Sequence, residues 1–278
     1  MIRRAEADAD LAFCAEVANA VEPQPVSVDQ LTGCRDRLFL HPAGGYAYVN
    51  RSSVEDSAYA MVRVHPDERG RGIGSALVER AKAEARKLGN DSAWGRVLAG
   101  DERSLGFAAA RGFAEVSRDV ELRRRLTPGE GTVPEGIVEL GEEHRRGAYA
   151  VAVEAIPDMV TAGQAAMKLS FEEWVEEELS GPRAFAALAD GEVVGYATLD
   201  NLPATPNRLE HGLTAVRPSH RRRGFATALG QAQIAWAAAR GYEELVTSTG
   251  VTNTGLRRQK AKLGYVEREG PTLVRGPV

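Results

Sequence analysis

Apolar and polar positions alternate along the chain in two successive blocks that predict the same order of elements. The second block is the clearer one. Residues 137–140 read as a short strand, and apolar positions recur at helical spacing over 144–155. Ser170-Phe171-Glu172-Glu173 is a capping box that opens a helix ending near Gly181-Pro182. Strands over 185–189 and 193–199 flank Asp190-Gly191, a hairpin signal. A strand over 209–216, an Ala-rich helix over 225–240 closed by Gly241, a strand over 244–249, a helix over 254–263 and a strand over 265–268 follow. In the first block, strands are expected near Phe39 and over 46–51, 58–64, 93–98 and 113–122. Helices are expected over 10–21, 28–35, 73–88 and 104–111. Helices set between mostly antiparallel strands specify an α+β fold. Trp174 and Trp236 fall at helix positions that pack a core.

The two blocks are copies of one unit. Arg69-Gly70-Arg71-Gly72-Ile73-Gly74 and Arg221-Arg222-Arg223-Gly224-Phe225-Ala226 share the pattern Arg-x-x-Gly-x-Gly/Ala, and 221 − 69 = 152. The same offset pairs Val64 with Val216, Pro66 with Pro218, Leu77 with Leu229, Gly89 with Gly241 and Gly112 with Gly264. Two prolines and three glycines within 126–136 mark the joint. The expected organisation is one domain over 1–125, a linker over 126–136 and a second domain over 137–278. The chain length of 278 residues suits two such domains.

Composition narrows the function. A formal charge of −4 and a pI near 5.9 argue against a general nucleic-acid binder. Two cysteines do not make a disulfide framework and suit a reducing compartment. The first residues turn acidic before any apolar run, unlike a signal peptide, and no run approaches the ~20 apolar residues of a membrane span. The expectation is a cytoplasmic protein, a monomer or homodimer, with no membrane, nucleic-acid or metal partner.

In each copy a strand ending near a proline runs through an Arg/Gly turn directly into a helix. The first amides of such a helix lack internal partners, and its dipole places roughly half a positive charge there. Glycine at 72 and 224 lets a phosphate approach the backbone, and the arginines add charge-assisted hydrogen bonds. A solvated basic turn would explain one copy, but two copies in one context favour a ligand. Gly-Lys-Ser/Thr of a P-loop, the Gly-x-Gly-x-x-Gly spacing of a dinucleotide fold and the kinase elements are missing.

Val-x-Pro-x-x-Arg-x-x-Gly-x-Gly/Ala, then Ala-Leu and a long helix, resembles the acetyl-CoA signature of the GNAT N-acetyltransferase superfamily. Asn253, followed by Leu263-Gly264-Tyr265, is similar to the element that closes that fold. Two such domains in one chain match the layout of mycothiol synthase and of several bacterial small-molecule acetyltransferases. The resemblance implies two tandem GNAT-like domains, each a mixed, mostly antiparallel sheet flanked by helices, and acyl transfer from acetyl-CoA to an amine. It implies that Arg221, Arg222, Arg223, Gly224, Phe225 and Ala226 hold the pyrophosphate. Gly70, Arg71, Gly72, Ile73 and Gly74 would do so in the first half, where Val64 and Arg69 are also expected at the cofactor. The strand edge at Val216 would pair with pantetheine, a backbone N–H there would face the oxyanion, and Asn253 would bond the pantetheine arm or cap a helix.

An alkyl amine with a pKa near ~10 needs a base before it attacks. The family often places a glutamate where Glu210 stands, and alternation sets Glu210, Gly212 and Thr214 on one strand face with His211, the second candidate base, on the other. The first-half equivalents, 210 − 152 = 58 and 253 − 152 = 101, are Ala58 and Asp101. The second half is therefore the expected catalytic one. Lys260 stands where many members carry a tyrosine that protonates the leaving thiolate; a surface role is expected for it, and the general acid is unassigned. Glu154 and Asp158 are candidates for binding a cationic small-molecule amine, in antibiotic resistance or biosynthesis. A protein or peptide acceptor, or a non-catalytic acyl-CoA-binding pseudo-enzyme, are the alternatives.

Overall fold

The computed structural model describes residues 1–22, 25–52, 56–155, 170–202 and 205–278. The chain divides into two compact units. Unit 1 comprises Met1–Arg118 and Pro271–Val278, and unit 2 the described residues from Asp119 to Gly270. Unit 1 therefore takes its last strand segment from beyond unit 2 in sequence, whereas unit 2 begins within the strand 114–125. The Pro/Gly-rich stretch 126–136 carries neither helix nor strand and belongs to unit 2.

Unit 1 is built on β1 (Arg3–Arg4), β2 (Leu38–His41), β3 (Gly45–Asn50), β4 (Ser57–Val64), β5 (Ser92–Val97) and the second half of β12 (Val266–Pro277), in that spatial order. Only β4 and β5 run parallel. Successive residues of β3 point to opposite faces, Tyr46 into one core and Ala47 and Val49 into the other. Helices α1 (Asp8–Asn19) and α2 (Val28–Thr32) cover the first face with Leu11, Cys14 and Leu31. Helix α3 (Ile73–Lys87) covers the second with Leu77, Ala81 and Ala85. A short helix, α4 (Glu102–Ala109), follows β5.

Unit 2 repeats the plan. The second half of β6 (Ala114–Arg125) is followed in space by β11 (Glu244–Gly250), β10 (Arg208–Val216), β9 (Glu192–Asn201), β8 (Arg183–Ala189) and β7 (Ile137–Glu139). Helices α5 (Glu142–Ala155) and α6 (Phe171–Glu178) pack one face around Trp174, Tyr196 and Ala186. Helix α7 (Phe225–Ala239) packs the other around Leu199, Leu209, Leu229 and Trp236, with α8 (Thr254–Lys262) following β11. Both tryptophans are buried, as their helical spacing indicates. Each unit is thus an α+β sheet domain flanked by helices.

Two features differ from the expectation. The register of β9 and β10 shifts between His211 and Thr214, a bulge that reverses which residues face which way. Glu210 lies opposite Asp200, whereas Thr214 lies opposite Ala197, so Glu210 and Thr214 point to opposite faces. The last strand also runs to Pro277 rather than stopping at 268, pairing Thr272–Pro277 with β5. Its glycines and prolines read as turns, but alternate residues from Gly270 to Gly276 are buried.

Candidate functional site

The two strand-to-helix junctions are built alike. A single 3-10 turn, Pro66–Glu68 or Pro218–His220, ends the strand, and the arginine that follows folds back onto it. Arg69 Nε donates to Val64 O at 3.3 Å, and Arg221 Nε to Val216 O at 3.1 Å. Left-handed residues then alternate with ordinary ones. Gly70 and Gly72 have φ of 83° and 80°, and Arg222 and Gly224 of 60° and 94°. This alternation turns successive N–H groups to one side and forms an anion-binding nest. Helices α3 and α7, 15 residues each, begin at Gly72 and Gly224 with no side chain capping them. The first amides with helical acceptors are those of Ala76 and Ala228, so the three before each remain for a ligand. No atom lies within 4 Å of where a Cβ would sit on Gly70, Gly72 or Gly224, leaving open space over the nests.

Beside each junction the central parallel strand pair comes apart. β4 and β5 pair only over Ser57–Tyr59 and Ser92–Trp94, and β10 and β11 only over Arg208–Glu210 and Glu244–Val246. Beyond these residues the facing edges have no ladder partner among the described residues. In unit 1 the opening is a cavity of about 710 Å³. Val64, Arg69, Gly70, Gly72, Ile73 and Gly74 line it, with Arg71 outside and ion-paired to Glu68 at 2.7 Å. Arg103, Arg111 and Lys82 add positive charge to the same walls.

In unit 2 Glu210 is half-buried on β10, on the face covered by α5 and α6. His211 is placed otherwise, inside the opposite core at 6% exposure. Its Nδ1 meets Gln233 Oε1 at 2.9 Å, while Gln233 Nε2 donates to Thr198 O at 2.7 Å. That fixes Nδ1–H as the donor and leaves Nε2 to accept from the Tyr265 hydroxyl. Burial, with the neighbouring Lys260 charge, pushes the His211 pKa well below its usual value. A neutral imidazole with both nitrogens engaged holds the core together and has no free site for a substrate proton. Lys260 also corrects its expected surface role. It is 2% exposed, its Nζ lies 4.9 Å from the centre of the Tyr265 ring, and burial lowers its pKa to about 7. Asn253 caps α8, accepting from Leu256 N at 3.2 Å and donating from Nδ2 to Thr249 Oγ1 at 3.1 Å.

Glu154 is partly exposed at the end of α5 and faces Arg217 at 3.5 Å, so its charge is already matched. Asp158 lies outside the described residues. Sequence reading did not single out Asp200, and it took the acidic run 172–178, Glu178 included, for an exposed helix face, whereas Glu178 is half-buried. Burial raises both carboxyl pKa values, and the Asp200 charge adds to the effect at Glu178. The β9–β10 register, which sets Asp200 against Glu210, brings Asp200 to the site, and sequence spacing does not encode it.

Comparison with known proteins gives the same picture. The profile of the Acetyltransferase (GNAT) family matches residues 37–113 and 149–265. A mycothiol acetyltransferase of Gordonia bronchialis is 30% identical over 140 residues, which are 50% of this chain and 44% of that protein, so the match spans under half of the relative's length. A GCN5-related N-acetyltransferase from Sphaerobacter thermophilus superposes with a TM-score of 0.79 at 22% identity, covering 100% of this chain and 95% of that one. A tandem GNAT protein from the clavulanic acid biosynthesis pathway gives a TM-score of 0.73 at 18% identity, with 100% and 98% covered. With both sequence blocks matched by one family profile and both junctions shaped for a phosphate, the chain belongs to the GNAT acetyltransferase family, as an acyltransferase with two copies of the fold.

Proposed function

We propose that this acyltransferase moves the acetyl group of acetyl-CoA to a primary amine of a small molecule, and that the reaction takes place in unit 2. The observation that carries this reading is the pairing of an open nest at Gly224 with a half-buried carboxylate, Glu210, on the strand leading into it. The amides of residues 225–227 and the Arg222 and Arg223 side chains would hold the diphosphate of coenzyme A. The edge of β10 beyond Glu210, without a ladder partner on the β11 side, would take the amides of the pantetheine arm. Asn253 would offer its remaining amide hydrogen to the same arm. Acetyl-CoA supplies the activated acyl group. Glu210 would take the proton that the attacking ammonium must lose, directly or through water.

Unit 1 would bind a second coenzyme A without catalysing. Its nest and its 710 Å³ cavity fit the ligand, but Ala58 occupies the place of Glu210. Thiol release from acetyl-CoA with a panel of amines tests the transferase reading, and a titration of coenzyme A tests the second site. Release with amines that is lost in Glu210→Ala supports it. No release with any amine, or full activity of Glu210→Ala, overturns it. Acceptance of peptide N-termini alone would replace the small-molecule acceptor with a protein one.

A further inference from the structure

We propose that the unit 1 cavity holds the chain of a coenzyme A thioester longer than acetyl, so that unit 1 binds an acyl-CoA of several carbons and keeps it intact. The inference rests on the reading of unit 1 as a second coenzyme A site and names the ligand of that site.

The cavity continues from the nest. Gly70, Gly72 and Gly74 line it, so a ligand with its phosphates there has its thioester end inside. The walls come from both faces of the sheet. Ala60, Val62 and Val64 pack with the α3 core, Met61 packs with the core beneath α1, and Ala20 and Val21 stand at the end of α1. The space therefore passes through the gap where β4 and β5 part and reaches the α1 side. There Arg63 is ion-paired with Glu22, so its charge is matched. A void of about 710 Å³ is far larger than close packing leaves in a core, and apolar cavities take up apolar ligands in preference to water. The wall carboxylates are engaged. Asp101 accepts from Ser104 N at 2.9 Å and from Ser104 Oγ at 2.6 Å, and Glu68 pairs with Arg71. Neither is placed as a base, which leaves a bound thioester unreacted.

Unit 2 builds the same positions differently. Val62, Ala81, Val97, Ala108 and Phe113 line the cavity, and the residues 152 positions on are Thr214, Gln233, Thr249, Lys260 and Tyr265. Each of these five apolar wall positions has a polar counterpart. Gln233, Lys260 and Tyr265 are at most 6% exposed and are engaged with His211 or with each other. A methylene chain among them would part buried polar groups from their partners, which costs the full desolvation of each. In unit 1 the same chain meets alkyl and phenyl groups. Ala81 and Ala108 also put a methyl group where unit 2 has a long side chain, and that difference supplies the room.

The test is calorimetric titration of the full chain carrying Gly224→Val, which disables the unit 2 nest, with coenzyme A and its acetyl, butyryl and hexanoyl thioesters. Each buried methylene is worth about fourfold in affinity, so hexanoyl-CoA should bind at least about tenfold more tightly than acetyl-CoA. Ala108→Leu, which fills the cavity, should abolish that preference and leave the affinity for bare coenzyme A within about twofold. Val62→Thr and Val97→Thr keep the shape of the wall and add a hydroxyl, and each should cut the preference by about threefold or more. Thermal melting checks folding, and the two threonine variants carry the test if Ala108→Leu does not fold. Equal affinity for the acetyl and hexanoyl thioesters, or a preference that survives all three variants, overturns the inference and leaves unit 1 a coenzyme A site. Absence of any binding to the Gly224→Val chain, with binding retained in Gly72→Val, overturns the second-site reading and the inference with it.

Discussion

The two units share a backbone device and differ in what surrounds it. Both junctions carry a 3-10 turn, an arginine folded onto the strand end, alternating left-handed residues and an uncapped 15-residue helix. The interiors diverge at positions 152 residues apart. Unit 1 has Ala58, Tyr59, Ala81, Ala108 and Phe113 where unit 2 has Glu210, His211, Gln233, Lys260 and Tyr265. One copy packs mostly apolar groups beneath its nest, and the other packs a hydrogen-bonded, titratable network. Anion binding needs only backbone geometry, which duplication copies whole. Acid–base chemistry needs individual side chains, each of which can be lost separately.

The sharpest way to break this comparison is at Glu210. Glu210→Gln should lower the acetylation rate by roughly a hundredfold or more, in line with the loss of a general base. The affinity for coenzyme A, measured by calorimetry, should change less than twofold. If rate and affinity fall together, Glu210 supports the fold and not the chemistry.

The buried lysine comes next. Ala108→Lys should destabilise unit 1, and Lys260→Met should stabilise unit 2 near neutral pH. The sign follows from linkage. The folded pKa of about 7 lies below the ordinary value of 10.5, so between those values only the unfolded chain holds the proton. Stability from this group therefore rises as pH climbs from 7 to 10.5. The gain from Lys260→Met should be roughly 2–4 kcal/mol near pH 7 and should vanish near pH 10.5, as read by chemical denaturation at several pH values. A gain that does not depend on pH would mean that Lys260 is charged in the fold.

Much of this was legible in the chain. The 152-residue offset and the Arg/Gly turns located both nests, because left-handed backbone and an uncapped helix start leave a glycine signature. Helix and strand order followed from periodicity. What the sequence hid was tertiary. A one-residue bulge in β10 turned Thr214 away from Glu210, and no local pattern announces it. The burial of Lys260 and the grouping of Asp200 with Glu178 depend on which elements pack together. The strand segment that completes unit 1 comes from the far end of the chain, where Gly270-Pro271 and Gly276-Pro277 look like turns.

The nests themselves allow a stoichiometric test. Valine at position 224 would combine a disfavoured left-handed conformation with a side chain in the open space. Gly224→Val and Gly72→Val should each remove one of the two proposed coenzyme A sites, weakening that site by about tenfold or more. Acetylation should be lost only in Gly224→Val. Loss in Gly72→Val instead would move the catalytic centre to unit 1.

The smallest effect concerns a single left-handed residue. Position 70 is glycine in unit 1, at no conformational cost, while its counterpart Arg222 holds φ of 60°. An L-residue there is strained by roughly 1 kcal/mol, and such strain persists where a side chain is useful. Arg222→Gly should therefore stabilise unit 2 by about 0.5–1 kcal/mol in denaturant unfolding. It should also weaken coenzyme A binding at that unit severalfold, and the weakening should shrink as salt is added, because a charge-assisted contact to phosphate is lost. Stabilisation with unchanged affinity would mean that the arginine points away from the ligand and that the two nests are equivalent after all.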